Sequence, residues 1–324
     1  MPPLGLDIRH DMVDLTSIRA AAKRIEGLVR RTPMIAAPPV KTPPGYAGPL
    51  VLKLELLQVT GSFKPRGAIN TLRSLAPEDM ARGIVTASGG NHGLGVAYAG
   101  HVGRVPATIF LPTSAPKSKI EKLRQWGADV RVEGAVWDDA NRAALAFAQA
   151  GGLAYIHPFA DARVIAGQGT LGLEILADDS EIDTLIVAIG GGGLIAGIAL
   201  AAKALKPAIR VIGVEPTGAP TLYESVCAGK LVELPEITTE VGTLAPRRSA
   251  AINLDIVSRS VDAIVLVSDD EMRHAARWLW FELGLAVELS AAAALASLAE
   301  GRYRPRDGER VCALICGAGT DGVG

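Results

Sequence analysis

A run of four glycines, Gly190–Gly193, lies in the middle of the longest uncharged segment of the chain, residues 184–202. The segment is almost long enough to span a membrane, but consecutive glycines would weaken any helix that contained them. We therefore predict a strand over TLIVAI (184–189), a glycine turn and a following helix. Backbone N–H groups converge in such a turn and the helix dipole adds positive charge. The glycine loop (Gly190–Gly193) is therefore expected to bind an anion, most simply a phosphate.

The same loop leaves a second interpretation open. Gly191, Gly193 and Ala196 satisfy the dinucleotide-binding pattern G-x-G-x-x-A. Glu215 ends the next predicted strand, at about the distance expected of an acid that binds a ribose. A nicotinamide or flavin dinucleotide is therefore the alternative ligand, although this pattern alone is a weak indication.

Composition places the chain among ordinary globular proteins. Its 324 residues suggest two modest domains. The 33 Lys and Arg nearly balance the 34 Asp and Glu, for a net charge of -1, so neither nucleic acid nor an anionic membrane is expected as the main partner. Three cysteines (Cys227, Cys312 and Cys316) are too few for a disulfide framework, and the polar, proline-rich residues 1–11 do not resemble a signal peptide. These features predict a cytoplasmic protein without a membrane span.

Short β-branched runs alternate with helical periodicity along most of the chain. Predicted strands include LVLKLE (50–55), IVTA (84–87), ATIFLP (107–112), ADVRV (128–132), LAYI (153–156), IRVIGVE (209–215) and VCALIC (311–316). Alternating strands and helices are typical of parallel sheets covered by helices on both faces. We therefore predict an α/β fold of two lobes, each with an open, twisted, mostly parallel sheet, and a ligand site in the cleft between the lobes.

The segment TGSFKPRGA (60–68) holds a single lysine among small and apolar residues. Lys64 follows Phe63 and precedes Pro65, which is typical of the first turn of a helix. A partly desolvated lysine has a lowered pKa and can form a Schiff base with a carbonyl compound. Composition alone favours a solvated lysine at a helix start, and only the surrounding motifs favour a catalytic role.

Four segments, in this order, resemble the threonine/serine dehydratase family: LKLELLQVTGSFKPRGA (52–68), SGGNHGLGVAYAG (88–100), GGGG (190–193) and CGAGTD (316–321). The resemblance extends from about Arg31 to the end of the sequence. It implies a pyridoxal-phosphate (PLP) enzyme of fold type II, with the tryptophan synthase β-like fold. It also implies a large cofactor-binding domain (1–73 and 161–324) and a small domain with the substrate loop (74–160).

The resemblance further implies which residues hold the cofactor. Lys64 would be the catalytic Schiff-base lysine, Asn91 would bond the 3-oxygen of the cofactor, and Cys316 would face its pyridine nitrogen. Phe63 would pack beside the cofactor, Gly242 would line its ring, and the glycine loop would hold its 5′-phosphate. The implied cofactor-binding residues are Phe63, Lys64, Asn91, Gly190, Gly191, Gly192, Gly193, Gly242 and Cys316.

By the same resemblance, a loop at the start of a helix would hold the carboxylate of the substrate. This substrate loop comprises Ser88, Gly89, Gly90, Asn91 and His92. Racemases of the superfamily tend to carry a second serine where Gly89 stands, so racemisation is not expected. Some relatives bind a divalent cation near Glu215, but Thr221 stands where a second carboxylate would be expected, so no metal is predicted.

Together these residues imply an enzyme that eliminates water from a small β-hydroxy amino acid, L-threonine or L-serine, to give a 2-oxo acid and ammonia. A homodimer is expected. The segment 238–256 departs from the common family sequence, and within it Arg247 and Arg248 could bind the second carboxylate of 3-hydroxyaspartate, although a solvated surface position is the simpler interpretation. An NAD-dependent oxidoreductase that uses the pattern around Gly191 is the more distant alternative.

Overall fold

The computed structural model describes residues 13–38 and 41–323 of the chain. Residues 1–11, from which we expect no signal peptide, lie outside the described residues. The described strands are β1 (Met34–Ala36), β2 (Leu50–Leu54), β3 (Ile84–Ala87), β4 (Ala107–Leu111), β5 (Asp129–Val132), β6 (Ala154–Tyr155), β7 (Thr184–Ala188), β8 (Arg210–Pro216), β9 (Ala263–Val267) and β10 (Val311–Ile315). The described α-helices are α1 (Leu15–Ile25), α2 (Lys64–Arg73), α3 (Pro77–Arg82), α4 (Asn91–Gly103), α5 (Lys117–Gln125), α6 (Trp137–Gly151), α7 (Ala162–Asp178), α8 (Gly193–Leu205), α9 (Thr221–Ala228), α10 (Ala251–Ser260), α11 (Asp269–Leu283) and α12 (Leu289–Ala299).

The larger sheet has the strand order β1-β2-β10-β7-β8-β9. It is parallel except at its edge, where β1 pairs antiparallel with β2. Every residue of β2, β7 and β10 is buried, as expected for the central strands of a parallel sheet covered on both faces. Strand β10 lies between β2 and β7 although it follows both in the chain, with Val311 opposite Leu50 on one side and Thr184 on the other.

A second, smaller parallel sheet has the strand order β5-β4-β3-β6. Helix α6 packs on one face of it through Ala140 and Ala144, and α4 packs on the other through Leu94 and Ala97. The α/β fold with two mostly parallel sheets is therefore confirmed. The strands of the smaller sheet lie within the segment predicted as the small domain, while the boundaries at 73/74 and 160/161 stay a prediction.

Helix α2, which begins at Lys64, is held closely on two sides. A Cβ on Gly167 of α7 would lie 2.6 Å from the carbonyl oxygen of Arg66, and one on Gly95 of α4 would lie 3.0 Å from the carbonyl carbon of Lys64. The missing side chains let the backbones of α7 and α4 approach α2. The first turn of α2 is therefore fixed relative to both sheets.

Four buried charged side chains form a network directly behind the first turn of α2. Arg66 donates hydrogen bonds of 2.7 and 2.9 Å to Glu55 and pairs with Glu174 at 2.8 Å. Lys53 donates to Glu174 at 2.8 Å. Removal of Arg66 would take away the cation that Glu55 pairs with inside the protein, which is costly. The charged residues around the lysine motif therefore support the helix that carries Lys64.

The uncharged segment 184–202 forms β7, the glycine turn and most of α8, as the sequence predicts. Across the part of the chain that the structure describes, no helix combines the length and the apolar character needed to cross a membrane.

Candidate active site

The predicted site residues follow the carboxyl ends of strands from both sheets. The glycine loop follows β7, and Cys316 follows β10, which is the neighbour of β7 in the larger sheet. The substrate loop follows β3 of the smaller sheet. The N–H of Phe63 bonds the carbonyl oxygen of Cys316 at 3.3 Å, which joins the start of α2 to the same edge. Because ligands bind at the carboxyl ends of parallel strands, this edge is the candidate active site.

Lys64 is half-buried at the start of α2, and its ammonium group donates a hydrogen bond of 2.9 Å to the carbonyl oxygen of Pro158. Its Nζ atom also lies 5.0 Å from the centre of the Phe63 ring. Burial lowers the pKa of Lys64 to about 8, and the nearby carboxylate of Glu288 opposes this effect only in part. A large fraction of the amine is therefore neutral near pH 8, which is the form that attacks a carbonyl group.

Side chains in the glycine loop would collide with the residues that close it. A Cβ on Gly191 would overlap the ring of Phe159, and one on Gly193 would lie 2.7 Å from the Phe159 carbonyl oxygen. Gly192 has a φ of 93°, which other residues rarely adopt. The first N–H groups of α8 have no partner within the helix. The loop therefore needs more than one glycine, and it keeps backbone donors available for an anion.

The substrate loop begins α4 and presents an open backbone surface. The N–H of Gly90 bonds the Ser88 hydroxyl at 3.3 Å, and apart from its chain neighbours no described atom would lie within 4 Å of a Cβ on Gly90. His92 turns into the interior instead, with its Nε2 atom 2.9 Å from the carbonyl oxygen of Ile156. Burial and the nearby charge of Lys64 lower the pKa of His92 to about 3. His92 is therefore neutral at physiological pH, and we assign it no proton transfer.

Asn91 and Glu288 connect the substrate loop to the larger sheet. The amide nitrogen of Asn91 lies 2.9 Å from each carboxylate oxygen of Glu288, and the Ser290 hydroxyl donates to the same carboxylate at 2.7 Å. Burial raises the pKa of Glu288, while these bonds and the charge of Lys64 favour its ionised form. No sequence motif points to Glu288. An acid just before the alanine-rich α12 is typical of a helix start, and it lies 197 residues from Asn91 in the chain.

Gly242 and Cys316 also lie at this edge. Gly242 begins a short turn whose next carbonyl oxygen, on Thr243, would lie 2.7 Å from a Cβ on Gly190. Of the atoms that the structure describes, and leaving out its chain neighbours, none would lie within 4 Å of a Cβ on Gly242 itself. Cys316 is buried, and burial together with the charge of Glu288 raises the pKa of its thiol. Cys316 is therefore a neutral thiol at physiological pH.

His157 is a second residue that the sequence analysis missed, because it shows no ligand spacing. Its Nδ1 atom accepts hydrogen bonds from the backbone N–H groups of Phe159 (3.2 Å) and Ala160 (2.8 Å), so the ring proton is assigned to Nε2. Burial lowers its pKa to about 4, and the charge of Lys64 acts in the same direction. The ring stands edge-on to Phe159, with 4.6 Å between the ring centres. The residues HPF (157–159) therefore bridge Lys64 and the glycine loop.

The arginine pair of segment 238–256 lies on the surface. Arg247 and Arg248 are both exposed, and the Arg247 guanidinium donates to the carbonyl oxygens of Leu234 (3.1 Å) and Pro235 (3.2 Å). These contacts support the solvated interpretation of the pair.

Glu215 supports the start of α9. Its two carboxylate oxygens accept the backbone N–H groups of Leu222 (2.9 Å) and Tyr223 (2.8 Å). Burial raises its pKa to about 8, although the two hydrogen bonds favour the ionised form. Because the carboxylate is already engaged, the structure weighs against its use as a ribose-binding acid. Between residues 13 and 323, with 39 and 40 left aside, no group of three or more His, Cys, Asp or Glu side chains could hold a metal ion.

The residues of the candidate active site fit pyridoxal phosphate. The amine of Lys64 suits its aldehyde, and the glycine loop, which side chains would fill, suits its phosphate. The open face of Gly242 leaves room for its ring. Beside the glycine loop, the buried Oδ1 atom of Asn253 has no hydrogen-bond partner among the described residues.

Comparison with known proteins agrees with this chemistry. The chain matches the family model described as "Pyridoxal-phosphate dependent enzyme" over residues 25–317. It is 39% identical to the L-threonine ammonia-lyase of Geobacter sulfurreducens over 306 residues, which cover 94% of this chain and 76% of that protein. It is 37% identical to the phenylserine dehydratase of Ralstonia pickettii, over 95% of this chain and 94% of that protein. The structure of maize serine racemase superimposes with a TM-score of 0.90 at 34% identity, over 94% of this chain and 93% of that one. The chain therefore belongs to the pyridoxal-phosphate dependent enzymes of fold type II, within the threonine/serine dehydratase family, and its cofactor is pyridoxal 5′-phosphate.

Proposed function

We propose that the protein is a PLP-dependent ammonia-lyase that eliminates water from L-threonine or L-serine and releases a 2-oxo acid and ammonia. One observation carries the proposal: the amine of Lys64, whose pKa is lowered to about 8, donates to the carbonyl oxygen of Pro158, and the next residue, Phe159, closes the glycine loop. The L-threonine ammonia-lyase of G. sulfurreducens is a relative over 94% of the chain, which supports the choice of substrate.

Two groups of the chain would act on the reacting atoms. When bound, pyridoxal phosphate withdraws electrons from the substrate Cα and so acidifies its proton. Lys64 would supply the amine that holds the cofactor aldehyde, and its neutral amine would take the Cα proton of the substrate. The neutral thiol of Cys316 would not keep a proton on the pyridine nitrogen, which favours prompt loss of the hydroxyl over transamination.

The substrate loop would hold the carboxylate of the amino acid. The N-terminus of α4 carries partial positive charge and free N–H groups, both of which attract a carboxylate. The open space at Gly90 gives the ligand access to that backbone. Glu288 would keep the nitrogen of the Asn91 amide turned towards it, because a carboxylate accepts hydrogen bonds and cannot donate them.

The substrate loop favours elimination over racemisation. Gly89 stands where racemases of the superfamily tend to carry a serine, and a Cβ at this position would lie 2.9 Å from a methyl carbon of Leu111. Without a hydroxyl here, this position offers no acid to protonate the second face of the substrate. We therefore propose a lyase, although a serine racemase is among the structural relatives.

Another β-hydroxy amino acid is the second candidate substrate. The phenylserine dehydratase of R. pickettii is 37% identical to this chain, so a larger β-substituent is a specific alternative. 3-Hydroxyaspartate is less well supported, because Arg247 already donates to two backbone carbonyl oxygens on the surface.

The test is a screen of the purified, PLP-loaded protein for release of 2-oxo acid. L-Threonine, L-serine, L-phenylserine, 3-hydroxyaspartate and D-serine would be compared, and we expect the highest kcat/KM with L-threonine or L-serine. Lys64→Ala should abolish turnover and the visible absorbance of bound PLP, and Lys64→Arg, which keeps the charge but not the reactive amine, should do the same. Turnover by Lys64→Ala at the wild-type rate, or purification with a bound dinucleotide, would rule out the proposal.

We also propose that the protein is a cytoplasmic homodimer with no nucleic-acid or membrane partner. The nearly balanced charge supports the absence of a nucleic-acid or membrane partner. Size-exclusion chromatography with light scattering should give about twice the chain mass of 33.7 kDa. A mass equal to that of one chain would contradict the dimer.

A further inference from the structure

Two side chains of the segment that departs from the family sequence hold one carbonyl group of the glycine loop. The Ser249 hydroxyl donates to the carbonyl oxygen of Gly191 at 2.9 Å, and the Asn253 amide donates to the same oxygen at 2.6 Å. Asn253 is fully buried, and only 8% of the surface of Ser249 is exposed. Asn253 lies in the first turn of α10, and Ser249 lies two residues before the helix begins, so both donors come from the same end of one helix.

Because the peptide unit is planar, these two hydrogen bonds also fix the orientation of the loop backbone. In a trans peptide the carbonyl oxygen and the following N–H point in opposite directions. Because α10 holds the oxygen of Gly191, the N–H of Gly192 must point away from α10. The carbonyl oxygen of Gly192 is also fixed, since it accepts the N–H of Ala196 in the first turn of α8. Both peptide units at the tip of the loop therefore have one orientation.

Glycine alone would not secure that orientation. A peptide between two glycines can rotate between alternatives that differ little in energy, because neither residue has a Cβ to exclude one of them. A rotated Gly191–Gly192 peptide would present its carbonyl oxygen, and not its N–H, to an anion in the loop. Ordering the peptide before the ligand arrives reduces the entropy that binding must overcome.

The second observation is the unpaired end of the Asn253 side chain. Its Oδ1 atom is buried and has no hydrogen-bond partner in the described structure, an arrangement that costs stability. The same amide also approaches the carbonyl oxygen of Phe159, at 3.3 Å. The amide nitrogen of Asn253 therefore donates to Gly191 and Phe159, while its oxygen has no partner in the described structure. A side chain with a purely structural role is expected to satisfy both its donor and its acceptor.

We propose that Ser249 and Asn253 are positioning residues that fix the Gly191–Gly192 peptide so that its N–H donates to the phosphate of the cofactor. The inference rests on the proposed function only for the identity of the phosphate ester. It assigns a role to a segment that the family resemblance leaves unexplained.

The experiment measures phosphate binding separately from turnover. Protein freed of PLP would be titrated with PLP and with inorganic phosphate, and the ³¹P NMR signal of bound PLP would report how firmly its phosphate is held. The variants are Ser249→Ala, Asn253→Asp, which keeps the shape but loses the donor, and the two combined. Ser249→Thr keeps the hydroxyl, and Ser258→Ala removes an exposed hydroxyl from the same helix α10 as a matched control.

We expect each single variant to weaken PLP binding about three- to tenfold and the double variant about ten- to a hundredfold. The ³¹P signal should shift, while kcat at saturating PLP should change little. Ser249→Thr and Ser258→Ala should resemble the wild type. Unchanged PLP and phosphate affinities in the folded Asn253→Asp and Ser249→Ala variants would overturn the inference, as would an affinity loss that Ser258→Ala shares. A wild type that binds PLP tightly but releases no 2-oxo acid would instead contradict the proposed function alone.

Discussion

Glutamine in place of Glu288 removes a negative charge from the cleft and keeps the size of the side chain. The carboxylate accepts hydrogen bonds from Asn91 at 2.9 Å and from Ser290 at 2.7 Å. Hydrogen bonds to a charged group contribute about 1.5–3 kcal/mol and neutral ones about 0.5–1.5 kcal/mol. The hold on the Asn91 amide should therefore weaken by about 1–1.5 kcal/mol, and PLP affinity should fall about five- to tenfold.

The same variant should bind PLP less tightly but be at least as stable to unfolding as the wild type. Burial raises the pKa of Glu288 above its ordinary value of 4.5, so the folded state disfavours the ionised form. Its contribution to stability is therefore greatest below pH 4.5 and is lost as the pH rises through the raised pKa. Glutamine carries no charge at any pH. We expect Glu288→Gln to melt at the wild-type temperature or above, with a larger advantage at pH 8 than at pH 5.

Two measurements check this pair of effects. Fluorescence titration of the PLP-free protein gives the affinity, and thermal unfolding at pH 5 and pH 8 gives the stability. Glu300→Gln is the control, because Glu300 follows the last residue of the same helix, α12, and faces His274 at 3.6 Å. The reasoning is refuted if Glu288→Gln binds PLP as tightly as the wild type, or if its melting temperature drops more at pH 8 than at pH 5.

Three further predictions concern other parts of the site. Attachment of PLP requires neutral Lys64, whose pKa is about 8. The attachment rate, followed by stopped-flow absorbance, should therefore rise with pH and level off above about pH 8, and a midpoint above pH 10 would count against a desolvated lysine. Cys316→Asp should increase the share of turnovers that end in transamination, and chromatography of the released cofactor should reveal it; an unchanged share with elimination intact would show that the thiol does not control this choice. Arg66→Ala removes the cation paired with the buried Glu55 and leaves Glu174 with Lys53, and it should cost about 3–5 kcal/mol in denaturant unfolding. The more exposed Arg163→Ala serves as its control, and a loss below about 1 kcal/mol would mean that the network is not needed for stability.

The sequence predicts the central strands well, because buried parallel strands are nearly continuous apolar runs bounded by glycine, proline or polar residues. Residues 84–87 and 184–188 are strands, as IVTA and TLIVAI respectively predict. The sequence analysis does not identify β1 (Met34–Ala36), a three-residue edge strand that is too short for a periodic signal. Local patterns carry no information about the strand order either, since β10 joins two strands far from it in the chain.

The site is only partly predictable for a similar reason. The motifs identify Lys64, the glycine loop and the substrate loop, because these segments combine unusual residues at short spacing. Glu288 and Asn253 have no such local signal, and each meets its partner only through the fold. The placement of the predicted site residues around the bound cofactor stays a prediction until a PLP-loaded structure tests it.

The position of β10 affects how the protein folds while the ribosome synthesises it. The smaller sheet can form once residue 155 has left the exit tunnel, whereas β2 and β7 wait for β10 to separate them. At the usual 5–20 residues per second, β2 waits about 10–50 s. Until then β2 and β7 each have one backbone edge without its partner strand. The candidate active site also lacks Cys316 during this time. Nascent chains should therefore bind PLP only late in synthesis, and the unpaired edges mark the period in which a chaperone would protect the chain most.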